Sequence, residues 1–242
     1  VNVASHNEAV MPRRLTLLIQ AAMMVIFCLV FYGPIVPPLV KEWYEHENFS
    51  YGFLIPFIFL YLVWEEREVF KDHSTGPSFW GAVSFLAALL VGVVGKALGE
   101  PFISRVSLVL AIGSLVHLFW GWQCVKRLAF PLTFLFHMVP PPYVIVKEVS
   151  YYLRMSDASI ANSLVQAVGV PVYRDAYFLH LPDITLEVAD VCSGIASLFA
   201  MLALGTIYVY YLPTRISMKL VVLVGAFVFP VIANLFRIFL VT

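Results

Sequence analysis

The feature that most constrains this chain is the recurrence of apolar runs long enough to cross a lipid bilayer. A spanning helix needs about 17–25 mostly apolar residues. Seven stretches meet or approach that length: Leu15–Tyr32, Phe49–Trp64, Phe79–Leu98, Val106–Trp122, Leu128–Val146, Cys192–Leu212 and Leu220–Thr242. Phe49–Trp64 is the shortest. Charge is too sparse for a soluble alternative. Asp, Glu, Lys and Arg make up 12% of the 242 residues, against about 25% in a soluble domain, and mean hydropathy is +0.89. Tyr51, Trp64, Trp80, Trp120 and Trp122 fall at or near segment ends, the headgroup level that amphipathic rings prefer. The fold class expected is all-α, a polytopic transmembrane helix bundle. Residues 1–242 are read as a single integral-membrane domain, and formal charge balances to zero, so nothing points to a nucleic-acid partner.

The distribution of Lys and Arg in short loops sets the expected orientation. One side gathers Arg13, Arg14, Arg67, Lys71, Lys126, Arg127, Arg215 and Lys219, and the other holds Lys41, Lys96 and Arg105. A cytoplasmic N-terminus follows. The stretch 147–191 is the long connection and falls on the outer face. Its first half has helical spacing with Leu153, Ile160, Leu164 and Val168 on one face, the pattern of an interfacial helix. Gly169 and Pro171 end it, and the residues from Tyr177 to Val188 alternate like a short hairpin. The chain opens at Val1 rather than Met and stops at Thr242 inside an apolar run, so a piece of a longer protein is expected.

Two residues in the last two spans carry chemistry. Cys192 opens the sixth expected helix, where exposed N–H groups and the helix dipole favour the thiolate. Close packing of the small residues Cys192, Ser193, Gly194, Ala196 and Ser197 is the bland alternative. Arg237 tips the balance, because an arginine in an apolar helix costs roughly 3 kcal/mol or more and normally has a partner or a function. Snorkelling of its long stem to the outer headgroups is the bland alternative. Counting from Ile216 in the inner turn, Cys192 lies 24 positions back and Arg237 21 positions on. At 1.5 Å per residue they differ in depth by only about 4.5 Å. Sulfur and guanidinium are expected within roughly 4–8 Å of each other. Asn234 and Arg237, three apart, share a helix face, so the amide can brace the guanidinium or bind a substrate carbonyl. His137 and His180 are the histidines within topological reach as acid or base, and each also has a structural reading. The three cysteines sit in separate segments, which argues against a disulfide framework. Zinc-type spacing, a phosphate-binding glycine loop and a dinucleotide fingerprint are all missing from the sequence, so neither metal nor cofactor is expected.

Ala189-Asp-Val-Cys-Ser-Gly-Ile-Ala-Ser-Leu, followed by Pro230 and Asn234-Leu-Phe-Arg-Ile, resembles the exosortase/archaeosortase family of multi-pass membrane cysteine transpeptidases. Two further blocks agree, Ser50-Tyr-Gly-Phe-Leu-Ile-Pro and Phe130-Pro-Leu-Thr-Phe-Leu-Phe-His-Met-Val-Pro-Pro-Pro. The resemblance implies Cys192 as nucleophile and Arg237 as second catalytic residue, with Asn234, Ser193 and Gly194 in supporting or substrate-binding places. The family's third residue, a His or an Arg, lies on a helix beyond its N-x-x-R motif and has no counterpart here, and Tyr51 stands where the family often has His. The implied activity is cleavage of a Pro-Glu-Pro-like C-terminal sorting signal on secreted proteins with an anchor helix and basic tail. The protein is then transferred to a glycan- or lipid-linked acceptor at the outer face of a bacterial inner membrane. The competing readings are a multi-pass transporter, or a scaffold for exopolysaccharide assembly without covalent chemistry.

The orientation is directly testable. A cysteine introduced at Asp157 should react with a membrane-impermeant thiol reagent in intact cells, and labelling only after membrane disruption would reverse the assigned topology.

Overall fold

The computed structural model describes residues 24, 26–72, 78–182, 184–187 and 194–241. The chain divides into two compact units, Val1–Pro38 and Leu39–Thr242. In the first, the described residues are helical and stack Phe27 on Phe31 and Phe31 against Tyr32, with centroids 6.1 and 4.9 Å apart. They lead through a 3-10 turn, Gly33–Ile35, to helix α1, Val36–Glu45. The apolar helix expected to stop at Tyr32 therefore continues, and the candidate span is Ile26–Glu45. The reason is where the prolines fall. Pro34 opens the 3-10 turn, and Pro37 and Pro38 lie in the first turn of α1, where backbone N–H groups have no helical partner to lose.

A 3-10 stretch, Glu47–Phe53, runs into α2, Leu54–Glu65. Next come the single turn Val69–Asp72 and two long helices, α3 (Phe79–Ala97) and α4 (Pro101–Arg127). Local chemistry specifies the α3–α4 hairpin. The Ser78 side chain caps α3 by accepting from Gly81 N–H at 3.3 Å, Gly99 turns the chain at φ +68°, and Pro101 starts α4. Two glycines let the helices touch backbone to backbone. A Cβ on Gly81 would lie 2.4 Å from Leu118 Cα, and one on Gly95 would lie 2.6 Å from the Ser104 nitrogen. Gly121, at φ +80° and ψ 176°, interrupts α4 near its end. Arg105, expected among the loop cations, instead lies buried within α4 and pairs with Glu42 of α1.

The expected span 128–146 is broken. Helix α5 (Ala129–Phe134) and a 3-10 turn (Leu135–Met138) give way at the three prolines, and α6 (Tyr143–Ala167) leaves at 75°. Pro140 forces Val139 into extended backbone, and none of the three prolines can donate a helical hydrogen bond. After α6 comes a small antiparallel sheet of β1 (Tyr173–Asp175), β2 (Phe178–His180) and β3 (Thr185–Glu187), in that order. The hairpin expected from the alternation is β2–β3, and β1 adds a strand. Asp175 pairs with Phe178 across a two-residue turn in which Ala176 takes φ +53° and receives a 3.0 Å hydrogen bond from Arg174 on its carbonyl.

The sheet covers α6, whose inner face is not the one the spacing indicated. Leu153 is half-buried against the main core, but Ile160, Leu164 and Val168 are exposed, whereas Ser150, Asp157, Ala158, Ala161 and Val165 are buried. Ala158, Ala161 and Val165 pack against Val172 and Leu179, and Gln166 Nε2 donates to the Val172 carbonyl at 3.0 Å. Small residues win the inner face because the sheet approaches closely, and the larger aliphatics are left on the outer one. Asp157 is therefore a poor labelling position, and the exposed Ser163 on the same helix replaces it.

Helices α7 (Ile195–Tyr211) and α8 (Ile216–Val241) complete the chain. Among the described residues, five helices are long and apolar enough to cross a membrane, or six if the bent pair is one span, against the seven expected along the chain. The architecture is an all-α polytopic bundle. Its main core joins Trp43, Phe49, Ile55, Leu62, Val109, Phe134, Met138 and Ile195. Trp43 is central to it: its indole N–H donates to the Met138 carbonyl at 3.0 Å, and a Cβ on Gly52 would strike the indole at 2.5 Å.

Close packing of α3 on α4 predicts that Gly81→Ala and Gly95→Ala each destabilise the protein by about 1–3 kcal/mol, the usual penalty for overpacking. Gly113→Ala, whose Cβ would sit 3.8 Å from Leu132, should be neutral or slightly stabilising. Thermal unfolding of the purified protein in detergent measures all three.

Candidate functional site

The site is built where α7 begins, α8 nears its end and α6 crosses behind them. Helix α7 starts at Ile195, three residues later than expected. Gly194 is its N-cap, at φ +73° and ψ 1°, and the Gly194 carbonyl accepts from Leu198 N–H at 3.0 Å. A left-handed backbone at that position suits glycine and stops the helix from extending further towards the N-terminus. Cys192 then stands two positions ahead of the cap. Cys192 and Ser193 lie outside the described residues, and with them the expected approach of the Cys192 sulfur to Arg237.

Helix α8 passes alongside α7. Gly205 faces Ala226, where an added Cβ would lie 2.7 Å from the alanine methyl. Pro230 interrupts the backbone ladder of α8 one turn before Asn234. At the Gly194 end, the same test puts a Cβ 3.0 Å from Asn234 Cγ and 3.1 Å from its Cβ. The depth reckoning was made for Cys192 and Arg237, and its Cys192 end lies outside the described residues. Arg237 follows Asn234 by three residues and is exposed at the bundle surface.

Behind Asn234 stands a residue that sequence reasoning missed. Asp157 of α6 is only 2% exposed and Asn234 6%. The Asn234 amide Nδ2 donates to Asp157 Oδ2 at 2.7 Å. The Asp157 carboxylate is also attracted by the positive charge of Arg237. A carboxylate on α6 and a carboxamide on α8 are therefore linked, with the Arg237 guanidinium one helical turn further along α8. The signal in the chain was Asp157 set on a stripe of small residues, Ser150, Ala158 and Ala161, on the face of α6 that packs inward. An ionisable residue on such a face normally points to the interior of a membrane bundle.

The two histidines have other work. His137 meets the Phe134 carbonyl through Nδ1 at 3.2 Å, and Nε2 faces the Thr206 hydroxyl at 3.5 Å. Thr206 is twelve residues along α7 from Gly194, about 18 Å at 1.5 Å per residue. His180 meets the Thr185 hydroxyl at 3.0 Å and stacks on Tyr173 within the sheet. Both sets of contacts fit a structural role. Cys124 is buried in an apolar cluster with Val69, Leu128 and Leu132. Among the described residues no three His, Cys, Asp or Glu side chains are grouped to hold a metal ion.

Gly194 offers a controlled comparison. At Gly169, φ is +87° and an added Cβ would meet nothing within 4 Å, so Gly169→Ala carries backbone strain alone, about 1–2 kcal/mol. Gly194→Ala adds the clash with Asn234 to the same strain. It should lower the detergent melting temperature further than Gly169→Ala does.

A family model described as Transmembrane exosortase (Exosortase_EpsH) matches residues 43–242. No curated protein and no solved structure matches the chain. The match opens at Trp43, the indole at the centre of the core, and runs through Gly194, Asn234 and Arg237. The chain is an integral membrane protein and belongs to the transmembrane exosortase family.

Proposed function

We propose that the protein is a membrane-embedded cysteine transpeptidase in which Cys192 is the nucleophile and Arg237 stabilises the charge that develops during reaction. The observation that carries this reading is the seating of Gly194 against Asn234. Two peptide units separate Cys192 from Gly194, a reach of at most about 7 Å, and Arg237 is one helical turn from Asn234. A thiol two positions before a helix N-cap also lies where the helix dipole favours its anion.

The chemistry is acyl transfer. The Cys192 thiolate adds to a peptide carbonyl near the C-terminal anchor helix of a secreted substrate, forming an S–C bond and an oxyanion. Arg237 supplies paired N–H donors to that charge. Collapse of the adduct breaks the C–N bond, and the anchor peptide leaves as an amine after taking up a proton. The thioacyl enzyme is then attacked by a hydroxyl or amine of a glycan- or lipid-linked acceptor, which surrenders its proton as the S–C bond breaks and the thiol is restored. Asn234 holds the guanidinium in register, and Ser193 and Gly194 shape the wall beside the nucleophile. The substrate is a secreted protein with a Pro-Glu-Pro-like signal ahead of its anchor. The site opens toward the outer face of a bacterial inner membrane.

In membranes containing the full-length protein and an anchored substrate, Cys192→Ala and Cys192→Ser should reduce processing to background. Cys28→Ala and Cys124→Ala should leave it nearly intact. Arg237→Lys should lose about a hundredfold, because an ammonium cannot present a planar pair of donors. Processing by Cys192→Ala at the wild-type rate would overturn the nucleophile assignment and favour a transporter or scaffold.

A further inference from the structure

The mechanism above leaves unused one of the most deeply buried polar groups in the molecule. Asp157 sits on α6, a different element from either half of the reacting pair, with 2% of its surface exposed. A carboxylate withdrawn from water in this way is costly unless its oxygens are hydrogen-bonded and its charge is matched. Part of that demand is met from α8. Asn234 Nδ2 donates to Asp157 Oδ2 at 2.7 Å, and the charge of Arg237 acts on the same carboxylate.

The bond has a directional consequence. An ionised carboxylate only accepts hydrogen bonds, so the amide must turn its NH2 group toward α6 and its Oδ1 away from it. Gly194 packs on the same side chain, where an added Cβ would lie 3.0 Å from Asn234 Cγ and 3.3 Å from Nδ2. Asn234 therefore meets both a glycine just downstream of Cys192 and an acid on a third helix. Rotation of its amide breaks the contact with Asp157.

We propose that Asp157 is a positioning residue of the transpeptidase site: it fixes the orientation of the Asn234 carboxamide against Gly194, one helical turn before Arg237, without itself touching substrate. The proposal rests on the transpeptidase reading, in which Asn234 and Arg237 flank the reacting thiol. It makes α6, and the β1–β2–β3 sheet that braces α6, part of the catalytic support. A purely structural bond would need only to be made, whichever partner donates. A positioning bond needs the acid on α6 and the amide on α8.

The test compares Asp157→Asn with the exchange variant Asp157→Asn, Asn234→Asp in full-length protein in membranes, with kcat and KM for an anchored substrate normalised to folded protein. Asp157→Asn should lower kcat at least tenfold with KM changed less than threefold. The exchange variant restores a hydrogen bond between the same two positions, so it should recover thermal stability without recovering kcat. Wild-type kcat in folded Asp157→Asn, or joint recovery of stability and kcat in the exchange variant, would overturn the proposal. Loss of fold in both variants would overturn it too, by making the acid a packing requirement. Cys192→Ala run in parallel separates the two levels. Processing that survives in that variant rejects the transpeptidase reading itself, whatever the Asp157 variants do.

Discussion

A bundle surrounded by lipid must satisfy its polar groups from within, and that requirement organises the interior of this protein. Four pairings illustrate it. Trp43 donates to the Met138 carbonyl, Glu42 meets Arg105, His137 lies between the Phe134 carbonyl and Thr206, and Asp157 accepts from Asn234. Each joins positions far apart in sequence or bridges a break in helical geometry. A single such bond contributes only about 1 kcal/mol when made. Removing one partner of a buried charge pair costs about 3–5 kcal/mol. The asymmetry makes these contacts specify which helices meet more than it makes them sources of stability.

Glycine placement sets how closely the helices meet. Gly81 and Gly95 bring α3 and α4 into backbone contact at two levels, Gly52 admits the Trp43 indole, and Gly194 admits Asn234. The Trp43 contact explains why blocks that resemble one family can be scattered along the chain. Gly52 belongs to the early Ser50-Tyr-Gly block, and Met138 belongs to the proline-rich block. Phe49 and Tyr51 pack on Phe199 of the helix that follows Cys192, with ring centroids 6.2 and 6.3 Å apart. The early blocks therefore shape the wall behind α7. Tyr51, standing where the family often has a histidine, has an aromatic packing role here.

Much of the architecture was legible because apolar length is written locally. The helices Glu47–Glu65, Phe79–Ala97 and Pro101–Arg127 lie where the apolar runs placed them. Errors came where proline and glycine act according to their position within a turn. Pro37 and Pro38 were compatible with a continuing helix because they fall in its first turn. Pro140–Pro142 did break one, and α6 emerged where a span was expected to end. The inner face of α6 was misread for a different reason. Large aliphatics mark the buried side of a helix facing water, but lipid accepts them equally well, so small residues become the sign of an interface.

Sequence alone determined the membrane class and the family resemblance, and it singled out Cys192, Asn234 and Arg237 as the residues of interest. All of these depend on local composition or on counting at a fixed rise per residue. Tertiary structure decided that Asp157 belongs beside Asn234, that Arg105 is an internal ion pair rather than a loop cation, and that His137 and His180 have local partners. Those facts depend on which face of one helix meets which turn of another, 77 residues away in the case of Asp157 and Asn234. No periodicity within a single segment encodes that meeting, because it is set by glycine-sized gaps and donor–acceptor matches that exist only once the helices are packed.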